Sequence, residues 1–347
     1  MIYINGRFLT QSITGVGRFA LEISKALQKQ SVEFTLLVPK KYKNKLGNDY
    51  GLNIRFIGSG DSHIWEQLSL AFFMLTQNDA LLINFTGLGP ILYKNKLMTI
   101  HDLSFLHEPK WFSKGYYYFY KYMTPIAARN SKHIITVSEF SKKEIIKYLG
   151  IAANKIQVVY NGNSFTRNTN GTVKQSKGFI LGVSSLDPRK NHRLLLQAFG
   201  QLSKKIDLDL ILVGKAEQHL NFNIDIKDFD ASRVRFTGYI SDVELQELYA
   251  QATLFIYPSL YEGFGIPPLE AIYFNCPVLI ADIPVFREIF QDSAVYFNPQ
   301  SKQDLEERIL FCLDNLDEIR LSDIQRSVIL DKYKWTNSVL KIIELLP

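Results

Sequence analysis

YPSLYEGFGIPPLEAI, residues 257–272, is the stretch that the rest of the chain serves. It follows an apolar run, Leu254–Phe255–Ile256, which reads as a buried strand. Gly263 and Gly265 come next, then Pro267–Pro268 and residues that can start a helix. Strand, glycine-bearing loop and helix N-terminus in that order present free backbone N–H groups, with the positive end of the helix dipole behind them. Two carboxylates, Glu262 and Glu270, bracket the turn with seven residues between them. An anion site flanked by two acids that can bind hydroxyls suits a sugar nucleotide.

On both sides of this stretch the same alternation of strand and helix recurs. Ile2 and Ile4 begin a first strand, and the turn Ile13–Thr14–Gly15–Val16–Gly17 opens a helix through Phe19, Ile23 and Leu27. Strand-like runs follow at 34–38, 54–57, 81–83, 97–100, 134–137 and 157–160, with helices at about 65–75, 114–130 and 141–149. Residues 166–177 are polar and aperiodic and read as a linker. Strands resume at 179–183, 208–213, 234–237, 254–257, 278–281 and 295–297, and the chain is helical after about 301. The segment 218–232 has no clear pattern. This alternation predicts an α/β chain with parallel sheets wrapped on both faces. At 347 residues two cores are expected, one over 1–165 and one over 178–334, with a final helix at 335–347 packing back on the first.

The totals narrow the function. No run of about eighteen apolar residues exists, so no membrane span is expected, and MIYINGRFLT lacks the apolar core of a signal peptide. Cys276 and Cys312, the only cysteines, fit a reducing cytosol and burial as small hydrophobes. The net charge of +6 hides an asymmetry: residues 1–165 hold 20 Lys+Arg against 10 Asp+Glu, and residues 166–347 hold 20 against 24. The basic half suits an anionic surface such as a bilayer, which attracts clustered Lys and Arg at about 1 kcal/mol each. No nucleic-acid-binding signature accompanies it.

A second turn offers cations. Gly182–Val183–Ser184–Ser185–Leu186–Asp187–Pro188–Arg189–Lys190–Asn191 ends a strand and leads into the helical LLLQAF. The dipole disfavours Arg189 and Lys190 at a helix entrance, so their placement asks for an anion such as a diphosphate.

With these pieces in place, the chain resembles the retaining glycosyltransferases of family 4, which have the two-domain GT-B fold. The likeness rests on YEGFGIPPLEAI, LDPRKN, VGK at 213–215, RFTGYISDVELQELYAQA at 235–252, SEFSKKEI at 138–145, ITGVGRFALEI and TIHDLSFLHEPKWF at 99–112. It implies two Rossmann-like domains with parallel sheets facing a central cleft. It also implies roles. Glu262 is expected at the donor sugar's hydroxyls and Glu270 at the ribose. Phe264, Gly265 and Ile266 would offer N–H groups to sugar and phosphates. Arg189 and Lys190 would neutralise the departing diphosphate, Gly15 and Gly17 would approach phosphates or acceptor, and His101 would meet the donor sugar. One departure is Ser185, where many members carry Arg.

Other groups read as structural. Ser138 fits a helix cap, Ser141 with Glu144 fits a capping box, and Asp207–Leu208–Asp209 only imitates a metal-binding pattern because it runs into a buried strand. Asp102 serves either an acceptor hydroxyl or its own loop. The aromatic run 116–122 with Lys121 fits a packed helix or a membrane interface. The expected enzyme is a cytoplasmic, metal-independent retaining hexosyltransferase at the inner face of the membrane. It needs no cofactor and uses a nucleoside-diphosphate sugar, GDP-mannose in the first instance, on a glycan or lipid-linked acceptor of bacterial surface polysaccharide. The alternatives are a nucleotide-sugar-binding protein without catalysis and a sugar-nucleotide epimerase. A dehydrogenase is disfavoured, since no GxGxxG follows the first strand.

Overall fold

Among the described residues of the computed structural model, thirteen short strands, apolar and mostly buried on both faces, build two parallel sheets. The structure describes residues 1–11, 14–46, 50–165, 178–214 and 231–347. The linker at 166–177, most of the patternless stretch 218–232, Ile13 and Lys215 lie outside the described residues.

The first sheet holds β1 (Ile2–Asn5), β2 (Thr35–Pro39), β3 (Ile54–Ile57), β4 (Leu81–Asn84), β5 (Lys96–Thr99), β6 (His133–Thr136) and β7 (Ile156–Val158). Its order is β3-β2-β1-β4-β5-β6-β7. The second holds β8 (Phe179–Val183), β9 (Asp209–Val213), β10 (Val234–Gly238), β11 (Leu254–Tyr257), β12 (Val278–Ala281) and β13 (Val295–Phe297). Its order, β10-β9-β8-β11-β12-β13, repeats the first. Each sheet therefore reverses winding direction once, between β1 and β4 and between β8 and β11. The carboxyl ends of the strands at such a switch point leave a crevice between diverging loops, which is where ligands bind in open α/β sheets.

The chain divides into two compact units, Met1–His107 with Lys114–Gly162 and Lys334–Pro347, and Glu108–Ser113 with Asn163–Tyr333. In the first unit, helix Trp335–Ile343 sets the Trp335 ring against Phe19, with centroids 6.0 Å apart, and Ser338 Oγ donates to the Tyr160 carbonyl at 2.5 Å. A β-carbon on Gly162 would come 2.7 Å from the Trp335 nitrogen, so that approach needs glycine. The first core gathers Tyr3, Leu37, Trp65, Leu70 and Met74.

Element ends differ by a residue or two from the sequence expectation, and two differences matter. The helix expected from Trp65 begins at Ser62, and Trp65–Leu70 within it is wound as a π-helix. Ser138 does cap its helix, accepting from the Ser141 N–H at 3.0 Å, but the capping box expected of Ser141 and Glu144 does not form. Helix Glu139–Leu149 has already begun at Ser141, whose buried hydroxyl donates to the His101 carbonyl at 3.0 Å instead. Asp209 opens β9 and pairs with Arg233 at 3.3 Å. Both cysteines are buried and free.

Candidate functional site

The switch point of the second sheet puts two loops side by side: Ser184–Asn191 after β8, and Pro258–Gly265 after β11. A backbone hydrogen bond from the Leu260 N–H to the Arg189 carbonyl, 2.8 Å, ties them together. The first loop is shaped by Asp187, whose carboxylate accepts from the Arg189 N–H at 2.9 Å and from the Ser185 hydroxyl at 3.1 Å, so Ser185 supports the turn. Asn191, at φ 54°, then turns the chain into helix His192–Leu202. Gly214 lets β9 close on this loop, since a β-carbon there would fall 1.8 Å from the Ser184 carbonyl oxygen.

Lys190 and Glu262, one from each loop, meet in a buried ion pair, Nζ to Oε1 2.5 Å, each side chain 10% exposed. Tyr257, the last residue of β11, closes the triangle. Its hydroxyl accepts from Lys190 Nζ at 3.0 Å and donates to Glu262 Oε1 at 3.1 Å. Burial works against the Lys190 ammonium, but the Glu262 carboxylate outweighs it and holds the amine above its usual value. Burial likewise works against charge on Glu262, yet Lys190 and Arg189 hold it below the usual carboxylate value. Burial, with Glu262 beside it, pushes the Tyr257 hydroxyl up to about 12. At neutral pH the trio is therefore ammonium, carboxylate and neutral phenol. Arg189 lies next to them, Nη2 3.7 Å from Asp187 Oδ2.

Gly265 caps helix Ile266–Tyr273 at φ 112°, a conformation for glycine, and a β-carbon there would stand 2.8 Å from the Phe286 ring. The prolines at 267 and 268 carry no N–H. The N–H groups of Gly265 and Ile266 have no hydrogen-bond acceptor among the described residues and so remain as donors at the helix start. The Phe264 side chain is buried edge-on against Tyr333, centroids 5.3 Å apart. Glu270 sits within the helix, buried, and accepts from the Tyr249 hydroxyl at 2.9 Å. Arg189, Lys190 and Glu262 are thus brought together, with the Phe264–Ile266 loop two residues further on. Glu270 has a partner of its own in Tyr249.

His101, Gly15 and Gly17 belong to the other unit. His101 Nε2 lies 2.9 Å from the Phe85 carbonyl, an acceptor only, so Nε2 carries the proton and Nδ1 accepts. Its ring meets Phe19 edge-on, and burial lowers its pKa. Asp102 Oδ1 accepts from the Ser104 N–H at 2.9 Å and holds its own loop. Gly15 and Gly17 form the first turn of helix Gly15–Lys29, where Thr14 Oγ1 caps the Gly17 N–H at 3.4 Å. A β-carbon on Gly17 would meet nothing nearer than 3.9 Å, so packing does not require glycine there.

At the switch point of the first sheet the structure adds residues that sequence reasoning missed. Asn5 and Asn84, which end β1 and β4, are joined by a 2.5 Å side-chain hydrogen bond. Asn5 also donates to the buried Glu66 carboxylate at 2.7 Å. Glu66 lies 3.1 Å from Arg7 Nε and 3.1 Å from His63 Nδ1, and the Tyr120 hydroxyl lies 3.3 Å from His63 Nε2. The available signal was that two otherwise apolar strands, IYIN and LLIN, both end in asparagine.

No group of three or more His, Cys, Asp or Glu that could hold a metal ion occurs among the described residues.

Residues 13–164 match the family model described as Glycosyltransferase Family 4, and residues 165–324 match that of Glycosyl transferases group 1. The chain is 31% identical over 223 residues to the O-antigen chain mannosyltransferase RfbU of Salmonella typhimurium, covering 63% of this chain and 61% of that protein. It therefore spans somewhat under two thirds of that relative's length. It is 26% identical over 274 residues to O-antigen chain mannosyltransferase B of Escherichia coli, covering 74% of this chain and 72% of that one. The crystal structure of Anabaena Alr3699/HepE in complex with UDP and glucose shares the fold, with a TM-score of 0.74 at 19% identity over 99% of this chain and 98% of that one. With both halves matched and both sheets wound in one order, the chain belongs to the family 4 glycosyltransferases and has their GT-B fold of two Rossmann-like domains.

Proposed function

We propose that this protein is a retaining, metal-independent hexosyltransferase that moves mannose from GDP-mannose to a hydroxyl of a glycan or lipid-linked acceptor in surface polysaccharide synthesis. The buried Lys190–Glu262–Tyr257 triangle at the carboxyl edge of the second switch point carries the reading. Its position beside two unsatisfied N–H groups suits a sugar diphosphate. The mannosyltransferase names of the Salmonella and Escherichia coli relatives support the sugar.

In this reading the two acids have separate tasks. Incoming diphosphate competes with Glu262 for the Lys190 ammonium, and the carboxylate so released accepts hydrogen bonds from the sugar hydroxyls near the anomeric carbon. Arg189, Lys190 and the N–H groups of Phe264, Gly265 and Ile266 then meet the charge that develops as the C–O bond to the diphosphate breaks. Preorganised groups of this kind usually supply the largest single part of a rate enhancement. Glu270 takes the ribose hydroxyls, and the phosphates, the acceptor and the donor sugar are the groups assigned to Gly15, Gly17 and His101. The departing phosphate oxygen takes the acceptor's proton on the face it leaves, which preserves the anomeric configuration without a separate protein base.

Thermal melts with GDP, UDP and dTDP test the donor, because a ligand bound only by the native state raises the melting temperature. GDP is expected to give the clear shift, and a larger one with UDP or dTDP would overturn GDP-mannose. Incubation with labelled GDP-mannose should give transfer with retained configuration and full rate in EDTA. Interconversion of the nucleotide sugar alone would point to an epimerase, and binding without turnover to a non-catalytic protein.

A further inference from the structure

One face of the first unit is apolar where a solvated helix should be polar. The helical segment 62–75 buries Trp65, Leu70 and Met74 but exposes Ile64, Leu68, Phe72 and Leu75, each between 66% and 75% accessible. Their spacing of four, four and three makes a single stripe along the helix. Helix Lys114–Asn130 adds a second stripe of the same spacing, Tyr118, Tyr122 and Ile126, all exposed.

The two stripes are joined. At one end the rings of His63 and Phe119 lie 5.2 Å apart. In the middle the loop at 89–92 bridges them: the Gln67 side chain bonds the Gly89 carbonyl at 2.5 Å and the Ile91 N–H at 2.9 Å, and Asn130 Nδ2 reaches the Ile91 carbonyl at 3.4 Å. Leu92, 79% exposed, stands on that bridge. Lys96, fully buried, fixes the bridge from below by donating to the carbonyls of Pro90 (2.7 Å), Ile91 (3.0 Å) and Tyr93 (2.9 Å).

Charge on this face has one sign. Helix Lys114–Asn130 carries Lys114, Lys121 and Arg129 and no acidic residue. The only acid of segment 62–75 is Glu66, which is fully buried against Arg7. Lys121 Nζ lies 5.2 Å from the Tyr117 ring and 5.9 Å from the Tyr122 ring, an amphipathic grouping suited to a headgroup layer.

We propose that this face, formed by segment 62–75, Leu92 and helix Lys114–Asn130, docks the protein onto an anionic lipid bilayer, with the leucines, Ile64 and Phe72 entering the acyl boundary and Lys114, Lys121 and Arg129 meeting the headgroups. A second copy of the chain fits less well, because a two-fold contact would set like charges against each other. The inference deepens the membrane placement expected from the basic half of the sequence and does not rest on the donor chemistry.

Flotation with vesicles of phosphatidylglycerol and phosphatidylethanolamine, against vesicles of phosphatidylcholine alone, tests it without donor or acceptor. The protein should float with the anionic vesicles only, and less in high salt. A Leu68→Ser/Phe72→Ser/Leu92→Ser variant, altered only at exposed positions, should keep its circular dichroism and melting temperature and lose about tenfold in partitioning for each side chain removed. Lys121→Glu should weaken anionic binding with the apolar stripe intact. No flotation of the parent protein, equal flotation of the triple variant, or a dimer in light scattering that the triple variant abolishes would each overturn the proposal. Because transfer to a soluble acceptor is measured separately, failure here leaves the proposed reaction standing, and the reverse.

Discussion

Replacing Lys190 by methionine removes one partner of a buried pair and leaves the Glu262 carboxylate without its 2.5 Å contact. Breaking such a pair costs about 3–5 kcal/mol, because the remaining charge stays desolvated. Tyr257 still donates to Glu262 at 3.1 Å, which argues for the lower end, about 3 kcal/mol. For a domain of this size that is a fall of roughly 6–12 °C in melting temperature. The double variant Lys190→Met/Glu262→Gln removes both charges and keeps an acceptor for Tyr257, so its stability should return to within about 1 kcal/mol of the parent. Activity should not return: both variants are expected to lose about 100- to 1000-fold in turnover, the scale of one missing charge-stabilising group. Glu262 is held below its ordinary value of 4.5, so its stabilising part is present above that pH and lost as the pH falls through the folded value. Lys190 is held above its ordinary 10.5, so its part is present below that and lost as the pH rises through the folded value. The stability difference between parent and Lys190→Met should therefore be flat from about pH 5 to 10 and shrink on either side. Thermal and urea unfolding followed by circular dichroism give the stabilities, and labelled-donor assays give the rates. A double variant as unstable as the single one would refute the pair as the source of the cost. Near-parental turnover would refute its place in the reaction.

Two further outcomes concern the groups around this pair. Burial, helped by Lys190, lowers His192 to about 4 from an ordinary 6.5, and its Nε2 lies 2.6 Å from Ser184 Oγ. The unfolded chain then binds more protons between those values, so stability should fall by about 3 kcal/mol as the pH drops from 7 to 4. A His192→Gln variant should flatten the pH dependence of the urea midpoint in that window, and an unchanged slope would contradict the neutral, buried imidazole. Gly265→Ala places a methyl 2.8 Å from the Phe286 ring at φ 112°, which should cost about 1–3 kcal/mol and lower activity by moving the donor N–H groups. Parental melting and kinetics would show that the loop has room that the geometry denies.

The sheets were legible because each strand is a short apolar run between polar turns, and β8, β11, β12 and β13 fall where the pattern put them. The loop at 257–272 was legible for a similar reason: glycines and prolines restrict what the backbone can do. Partnerships were not. Lys190 and Glu262 are 72 residues apart, and only the strand order β8-β11 brings their loops together. Ser141 shows the limit from the other side. The local spacing allowed a capping box with Glu144, and a tertiary acceptor, the His101 carbonyl, took the hydroxyl instead. Asn5 and Asn84 were not singled out, since nothing in either segment alone says that the two will sit side by side.

The π-helical turn at Trp65–Leu70 has a consequence for how this region tolerates change. It carries Glu66 to Arg7 on one side and seats Leu70 and Met74 in the core on the other. A π-turn holds one residue more than the α-helical turn it replaces, so deleting one residue within it would restore a regular helix and keep the flanking turns in phase, whereas deleting one of residues 71–73 in the regular helix would turn Met74 by about 100° relative to Leu70. In the second case either the seat of Leu70 or that of Met74 would survive, not both. Substitutions at Leu68 or Ser69 leave that phase untouched. In this helix the number of residues carries information that no single side chain does.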